Sequence, residues 1–549
     1  MLKINCLFVS KSRFVKLIFK FLFFIVLLLV FETCARKGRP EGGPKDETAP
    51  LMVTSNPPYE TTKFDKKEIK IYFDEYITLK DLNKQLVVSP PLKNPPIITP
   101  QGTASKYINI EILDTLKENT TYIFNFGNAV QDNNESNILE RFKYVFSTGN
   151  YIDSLTLTGR VKDAFSDKPD KSINVLLYRI DSAYTDSIIY KRKPDYVTNT
   201  LDTTNYDFSN LREGKYFLFA LKEESNDYLY NPSTDKIAFS LDTIQLPRDS
   251  IITKELRLFS EISTYNFRRG KEVSKGKIQF GFEGNSDSIQ INVLSDIPTD
   301  FKSIYKLEKG KDTINYWFTP FETDSLNFIV KNKEFLDTLT VRLRKKEIDS
   351  LEIKSSSRGN FELKDTFYFQ TNNPIIKIDT SKISLVDKDT IAVNFRTISS
   401  STENKIKLIF DKKPLENYTL KVLPEAFFDI YQQKNDSLDY TLKTKEIEDY
   451  GRITLDVQNP ASENLIIELL DEKGSLVEKK FISNSTSIIF DLLIPKTYKI
   501  RAIIDRNNNK IWDTGNLLLK RLPETVIYFS KELVVRANYY LNETFSVSF

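Results

Sequence analysis

The sequence contains no histidine. This removes every histidine-based triad, metal site and proton shuttle from consideration. Its two cysteines, Cys6 and Cys34, both lie near the N-terminus. A disulfide, a cysteine-ligated zinc or a catalytic thiol in the body of the chain is thereby excluded. Glycine is scarce, at 17 in 549 residues, so asparagine and aspartate are expected at many turns, because they tolerate left-handed backbone and bond their own main chain. Long apolar runs are missing too, save Phe21 to Phe31, eleven residues, where a membrane-spanning helix needs about 20. A surplus of either charge is also lacking. Residues 1–33 hold five of the 78 Lys/Arg and one of the 75 Asp/Glu, leaving 73 and 74. That balance leaves no basic excess for nucleic acid, which needs clustered cations against phosphate.

What is present begins with an address. Lys3, Lys11, Arg13, Lys16 and Lys20 precede the apolar run, and Glu32, Thr33 and Cys34 follow it. A basic region and a short apolar segment suit an export signal, residues 1–33, better than a membrane span. The cysteine just past the run, with a polar Gly/Pro-rich stretch behind it, resembles a bacterial lipoprotein signal. The resemblance implies cleavage before Cys34 and lipidation of its thiol, giving a membrane tether. An uncleaved signal anchor is the alternative. Residues 34–50 (CARKGRPEGGPKDETAP) then form a linker, loosened by Gly38, Gly42 and Gly43 and stiffened by Pro40, Pro44 and Pro50.

From about residue 67 onward, apolar and polar residues alternate in short runs rich in Val, Ile, Thr, Tyr and Phe, as in 68–73, 339–343 and 452–457. Asn/Asp/Ser/Pro clusters interrupt them about every ten residues, and helical periodicity is almost absent, which is the pattern of β-sandwiches. Two internal similarities organise the chain. Phe208 to Asn231 aligns without gaps with Phe490 to Asp513, pairing Tyr216 with Tyr498 and Tyr230 with Trp512. Leu116 to Ile123 resembles Leu415 to Leu420, and the two stretches end at Thr148 and Thr444.

Residues 51–150 resemble a bacterial Ig-like domain of the SbsA type, through Pro57-Pro58, Ile69-Ile71-Phe73-Asp74-Glu75, Leu116 to Tyr122, Asp132-Asn133 and Phe146-Ser147-Thr148. Residues 151–260 and 447–549 resemble prealbumin-like, carboxypeptidase-regulatory-like sandwiches, through Leu157-Gly159-Val161 and the strand start at Gly214-Lys215-Tyr216. Residues 351–446 read as a second Ig-like sandwich and 261–350 as a sandwich of unassigned type. With Gly42-Gly43-Pro44-Lys45-Asp46 behind the cysteine and Asp505 to Asp513 near the end, the whole is similar to Bacteroidetes lipoproteins with an N-terminal Ig-like domain. The resemblance implies no catalysis. The expected fold class is all-β, a multidomain tandem of Ig-like and prealbumin-like sandwiches after an N-terminal signal helix, extended as a rod.

Several features invite chemistry. Asp505, Asn507, Asn509 and Asp513 stand at positions 1, 3, 5 and 9 of a loop, a spacing that can wrap Ca²⁺. Position 6 is Lys510 rather than glycine and position 12 is Asn516 rather than glutamate, which favours an Asx-rich structural loop plugged by Trp512. Calcium is the one cofactor the sequence suggests. Asp-Ser/Thr-apolar tripeptides place Thr115, Ser154, Ser187, Thr243, Ser288, Ser325, Thr338 and Ser437 as O-glycosylation candidates by resemblance to the Bacteroidetes sequon. Local turn chemistry before a strand explains the same tripeptides. The acidic doublets Asp74-Glu75 and Glu223-Glu224 do not by themselves converge, since neighbours on a strand face opposite ways. The aromatic stripes Phe367-Tyr368-Phe369 and Asn315-Tyr316-Trp317-Phe318 suit either sugar stacking or, more simply, core packing. The expectation is an exported, lipid-anchored, non-catalytic envelope scaffold or binding protein, with a surface adhesin or glycan-binding lipoprotein as the alternative and a hydrolase last. Its partners are then the membrane, through the lipid, and an envelope protein or glycan. Ala35-Arg36-Lys37 after the cysteine, in place of an acidic run, tilts the location to the periplasmic side of the outer membrane.

Overall fold

The computed structural model describes residues 45–549 except 252, 253, 309, 401 and 549. The signal segment, Cys34 and residues 34–44 of the linker lie outside the described residues. The chain is strand-built throughout, with one short α-helix, Leu82–Gln85, among the described residues. Five sandwiches follow one another, called units 1 to 5 below.

Unit 1 pairs Met52–Asn56, Glu68–Leu79, Ser105–Glu111 and Ile97–Thr99 in one sheet, with Val130–Asp132 added at the far end of Glu68–Leu79. Val87–Ser89, Thr121–Gly127 and Phe142–Ser147 make the other. Alternation does the sorting: Ile69, Ile71, Phe73 and Ile77 enter the core while Glu68, Lys70 and Tyr72 face outward. Unit 4 repeats this plan with Ile353–Ser355, Phe367–Thr371, Lys405–Phe410 and Phe395–Ser399 against Ile383–Val386, Asn417–Val422 and Leu438–Lys443. Its Ile375–Ile378 pairs with Phe427–Asp429 where unit 1 has one continuous strand.

The weaker internal similarity has a physical basis in a shared clamp. In unit 1 the Tyr122 hydroxyl accepts the N–H of Lys117 (2.9 Å), and Thr148 Oγ1 donates to the Lys117 carbonyl (2.7 Å). In unit 4 the Tyr418 hydroxyl accepts the N–H of Lys413 (2.7 Å), and Thr444 Oγ1 donates to the Lys413 carbonyl (2.6 Å). Each unit also ends its added strand on a buried aspartate that gathers turn N–H groups. Burial opposes ionisation of Asp132, but the N–H groups of Asn134, Glu135, Ser136 and Asn137 outweigh it and hold the carboxyl below its usual range. Asp429 receives only two backbone N–H groups and the Asn373 amide, so burial dominates and pushes it up.

Units 2 and 5 share a different plan. Unit 2 sets Asn205–Leu211, Leu155–Asp163 and Lys254–Leu258 against Tyr196–Asn199, Asn174–Arg179, Gly214–Lys222 and Lys236–Phe239. Unit 5 sets Thr486–Leu493, Gly451–Gln458 and Tyr540–Ser546 against Leu476–Ile482, Leu465–Asp471, Thr497–Ile504 and Val526–Tyr528. In both, the last strand runs parallel to the first. The stronger internal similarity is carried here. Tyr216 and Tyr498 each donate to a carbonyl four residues upstream, of Arg212 and Ile494, both at 2.8 Å. Left-handed backbone recurs at matching positions, Asn210 with Leu492, Asn226 with Asn508 and Tyr228 with Lys510. Unit 3 is antiparallel, with Asn266–Ser274, Lys277–Glu283, Thr313–Phe318 and Ser303–Leu307 facing Gln290–Val293, Ser325–Asn332 and Phe335–Arg342.

The expected rod is corrected by the return of unit 5 onto unit 2. Lys499 Nζ lies 2.7 Å from Asp167 although 332 residues separate them. The reason lies in strands with no polar face, described next.

The clamp gives a test. Thr444→Val leaves the Lys413 carbonyl and the Glu416 N–H, which Thr444 now receives at 2.9 Å, without partners. Each such loss costs about 1–3 kcal/mol. Hydrogen exchange measured by mass spectrometry is expected to accelerate across 405–444 and stay unchanged in unit 1.

Candidate functional site

Two strands of unit 2 bury both faces. In Asn174–Arg179, Val175 and Leu177 enter the sandwich core while Leu176 and Tyr178 point outward and are also buried. In Gly214–Lys222, Phe219 and Leu221 do the same, joined by Ile237 and Phe239 from the neighbouring strand. This outer apolar face is covered by Ile188 and Ile189, by Tyr230, and by Trp512 and Leu517 from unit 5. Val87 of unit 1 joins the same cluster, and its neighbour Ser89 accepts the Val197 N–H at 3.1 Å.

The cover from unit 5 is the 505–525 loop. At Gly515 the approach is tight: a Cβ there would stand 2.5 Å from the Phe259 ring, so only glycine admits that ring. Thr514 Oγ1 donates to the Ser260 carbonyl (2.6 Å) and the Leu517 N–H to Glu261 (2.6 Å). In return, Phe165 of unit 2 enters the outer face of unit 5. The Arg501 guanidinium lies 3.7 Å from the centre of its ring, and Trp512 lies 4.6 Å away on centroids. The Phe165 carbonyl accepts from Arg501 (3.2 Å) and from the Tyr528 hydroxyl (2.9 Å). Arg501 is 9% exposed at its side chain and pairs at 2.6 Å with Glu468, 12% exposed.

The Phe165 turn is itself fixed. Burial raises the Asp163 carboxyl, but the Lys236 ammonium at 2.7 Å and the N–H groups of Phe165 and Ser166 outweigh it, so its proton affinity falls below the usual carboxylate range. Lys236 also reaches Asp170 at 2.8 Å. Beside this contact a cleft of about 900 Å³ opens between the units, with Arg160, Lys162 and Arg257 on one wall and Arg506 and Tyr528 on the other. Glu255 answers Lys162 (2.8 Å) and Arg257 (3.7 Å), and Arg257 donates to Thr525 across the cleft at 2.9 Å. The arrangement locks two units together and leaves a cleft of mixed charge between them, since Asp163, Asp167, Glu255 and Glu463 line it beside the basic residues.

The residues singled out from sequence take these places. Asp505, Asn507, Asn509 and Asp513 do come together. Asp505 accepts the N–H groups of Asn509 (3.0 Å) and Lys510 (2.8 Å), and Asp513 accepts the Asn507 and Asn509 amides (2.6 and 2.8 Å). The oxygens that a cation would use thus receive donors of their own loop. The twin loop closes alike, with Glu223 accepting the N–H groups of Asp227 and Tyr228. Burial pushes the Glu223 carboxyl up. Among the described residues, no three His, Cys, Asp or Glu side chains group to hold a metal. Thr115, Ser154, Thr243, Ser288, Thr338 and Ser437 are exposed, and Ser187 and Ser325 half-buried. The apolar residue that follows is buried at Ile188, Ile244, Ile289 and Leu326; Ile244, Ile289 and Leu326 stand at or beside the start of a strand, as turn chemistry assigns, whereas Ile188 opens a short 3₁₀ helix. Asp74 accepts the Leu51 N–H (2.9 Å) and so helps seat the first strand. Glu224 is exposed while Glu223 is buried, so that doublet splits. Phe367, Phe369, Tyr316 and Phe318 lie in the cores of units 4 and 3, as packing predicts. Missed from sequence were Phe165, Arg501 and Gly515. The signal for them was present in the runs Val175 to Tyr178 and Leu465 to Leu470, the second broken only by Glu468, where adjacent apolar residues replace alternation and leave a sheet with no solvated face.

The bacterial Ig-like domain family matches residues 46–148, which is unit 1 with its lead-in. Among solved structures, the chain is similar to the S-layer protein SbsC at 13% identity, over 89% of this chain and 68% of that one, with a TM-score of 0.14. It is similar to the major pilin subunit of Bacillus cereus at 9% identity, over 71% of this chain and 99% of that one, also at 0.14. Likenesses at these TM-scores carry no argument about function. No curated protein matches the chain.

Arg501→Ala is expected to leave Glu468 buried without its partner, at a cost of about 3–5 kcal/mol. Hydrogen exchange should rise at 163–170, and trypsin should cut the loop at Arg506, Lys510, Lys520 and Arg521. Protection unchanged at 163–170 would show that Arg501 does not hold the two units together.

Proposed function

We propose that this chain is an exported, lipid-anchored protein of the bacterial envelope that works without catalysis, as a scaffold or binding protein, in the manner of the Bacteroidetes lipoproteins it resembles. The observation that carries the reading is the mutual cover of units 2 and 5. It turns separate sandwiches into a braced platform, and the acidic and aromatic residues that invited chemistry serve its loops and cores. Function in such a frame falls to clefts, loops and strand edges. The tether at Cys34 would hold the frame at a membrane, with the periplasmic face of the outer membrane as its place and O-glycans as a surface coat on the exposed turn residues. The prealbumin-like assignment of units 2 and 5 fits their parallel last strand. A polar cleft between units 3 and 4 favours the glycan-binding form of the reading.

Two measurements test it together. Cys34→Ala is expected to leave the protein soluble in the periplasm or held as precursor, where the native chain fractionates with membranes. An amine-reactive reagent that cannot cross the outer membrane is expected to spare the native chain on intact cells and label it after permeabilisation. A Cys34→Ala chain that is processed and still sediments with membranes would refute the tether, and labelling on intact cells would move the protein to the surface.

A further inference from the structure

Units 3 and 4 enclose a cleft of about 370 Å³. Its floor is the outward face of the unit 3 sheet. Strand register sets Lys277 opposite Trp317 and Gln279 opposite Asn315. Their neighbours Ile278, Phe280, Ile314 and Tyr316 point the other way, into the core. Unit 4 closes the cleft with Gln370, near the end of Phe367–Thr371, and Asn404, just before Lys405–Phe410. The two walls are tied. Lys306 Nζ reaches across to the carbonyls of Ser400 (3.0 Å) and Glu403 (2.8 Å), and the Tyr431 hydroxyl donates to the Gly276 carbonyl (2.7 Å).

Five carboxamides, Gln279, Asn315, Gln370, Asn372 and Asn404, line this one space. Each carries both a donor and an acceptor group. The charges balance, Lys277 and Lys306 against Glu308 and Glu403. Two buried groups are left over. Trp317 is 3% exposed, and its indole Nε1 has no hydrogen-bond partner among the described residues. Asn404 Oδ1 is likewise buried without one. Native proteins rarely strand a buried donor and a buried acceptor in one place. A hydroxyl accepts from the first kind of group and donates to the second.

We propose that this cleft binds a neutral saccharide, whose hydroxyls pair with the carboxamides and with the Trp317 indole N–H. The proposal rests on the binding-protein reading above and gives it a site and a ligand class. Balanced charge disfavours an ionic ligand, and a lining poor in aliphatic side chains disfavours a lipid. The volume lies in the range of about 300–1,000 Å³ typical of small-molecule sites.

The chain has two tryptophans, Trp317 and Trp512, so its indole N–H spectrum holds two signals, and Trp317→Phe assigns them. The full mature chain is titrated by calorimetry and by this spectrum with maltotriose, cellotriose, mannotriose and chitotriose, and with trigalacturonate as the charged control. A neutral trisaccharide is expected to bind saturably and to move the Trp317 signal, while that of Trp512, bonded to the Glu524 carbonyl at 3.0 Å, stays put. Trp317→Phe and Asn404→Ala are each expected to weaken binding at least tenfold while the chain stays folded, as an unmoved Trp512 signal reports. Binding that moves neither signal and survives both substitutions would overturn the cleft and leave the glycan-binding reading standing. Preference for trigalacturonate would overturn the neutral class. Failure of every saccharide to bind would overturn the cleft and the glycan-binding reading alike.

Discussion

A sheet in a two-layer sandwich ordinarily keeps one face for water, and units 2 and 5 do not. Leu176, Tyr178, Phe219, Leu221, Ile237 and Phe239 make the outer face of unit 2 as apolar as its core. Exposing side chains of this kind forfeits roughly 1.5–3 kcal/mol each. The face must therefore be covered, and unit 5 supplies Trp512 and Leu517 to do part of it. Unit 5 has the reciprocal need, since Ile466, Ile503 and the Glu468–Arg501 pair are buried on its own outer face. Phe165 meets that need. The contact lets neither unit stand free.

The consequence reaches the rest of the chain. With units 2 and 5 joined, units 3 and 4 between them are held at both ends. Their own junction is set by polar bonds from Lys306 and Tyr431 rather than by an apolar seam. A junction of that kind leaves room for a polar cleft. The division of labour is physical: apolar faces fix the frame, and amide-rich surfaces remain for recognition.

Much of this was legible in the amino-acid order. Alternation gave the strands, because one face of each is dry. Repetition gave the paired units, because Tyr216 and Tyr498 make the same bond in the same turn, as do Thr148 and Thr444. The Asp505 loop was readable as an Asx-rich turn with an aromatic plug, though not where the plug goes. Trp512 lodges against unit 2, and no local pattern encodes a contact between Trp512 and Phe165. The rod was the natural expectation for a tandem chain, and it failed because cover for a doubly apolar sheet is a long-range demand. Trp317 shows the same limit: its place in an aromatic run suggested core, and strand parity sends Tyr316 and Phe318 there while turning Trp317 to the cleft.

The return of unit 5 onto unit 2 is tested most directly by a zero-length carbodiimide crosslink on the full-length chain in dilute solution. Lys499 Nζ and the Asp167 carboxylate stand 2.7 Å apart, close enough to condense to an amide, and Lys236 with Asp163, at 2.7 Å within unit 2, is the internal control. The account predicts both crosslinked peptides, with the Lys499–Asp167 yield independent of protein concentration. Recovery of the Lys236–Asp163 product alone would contradict it.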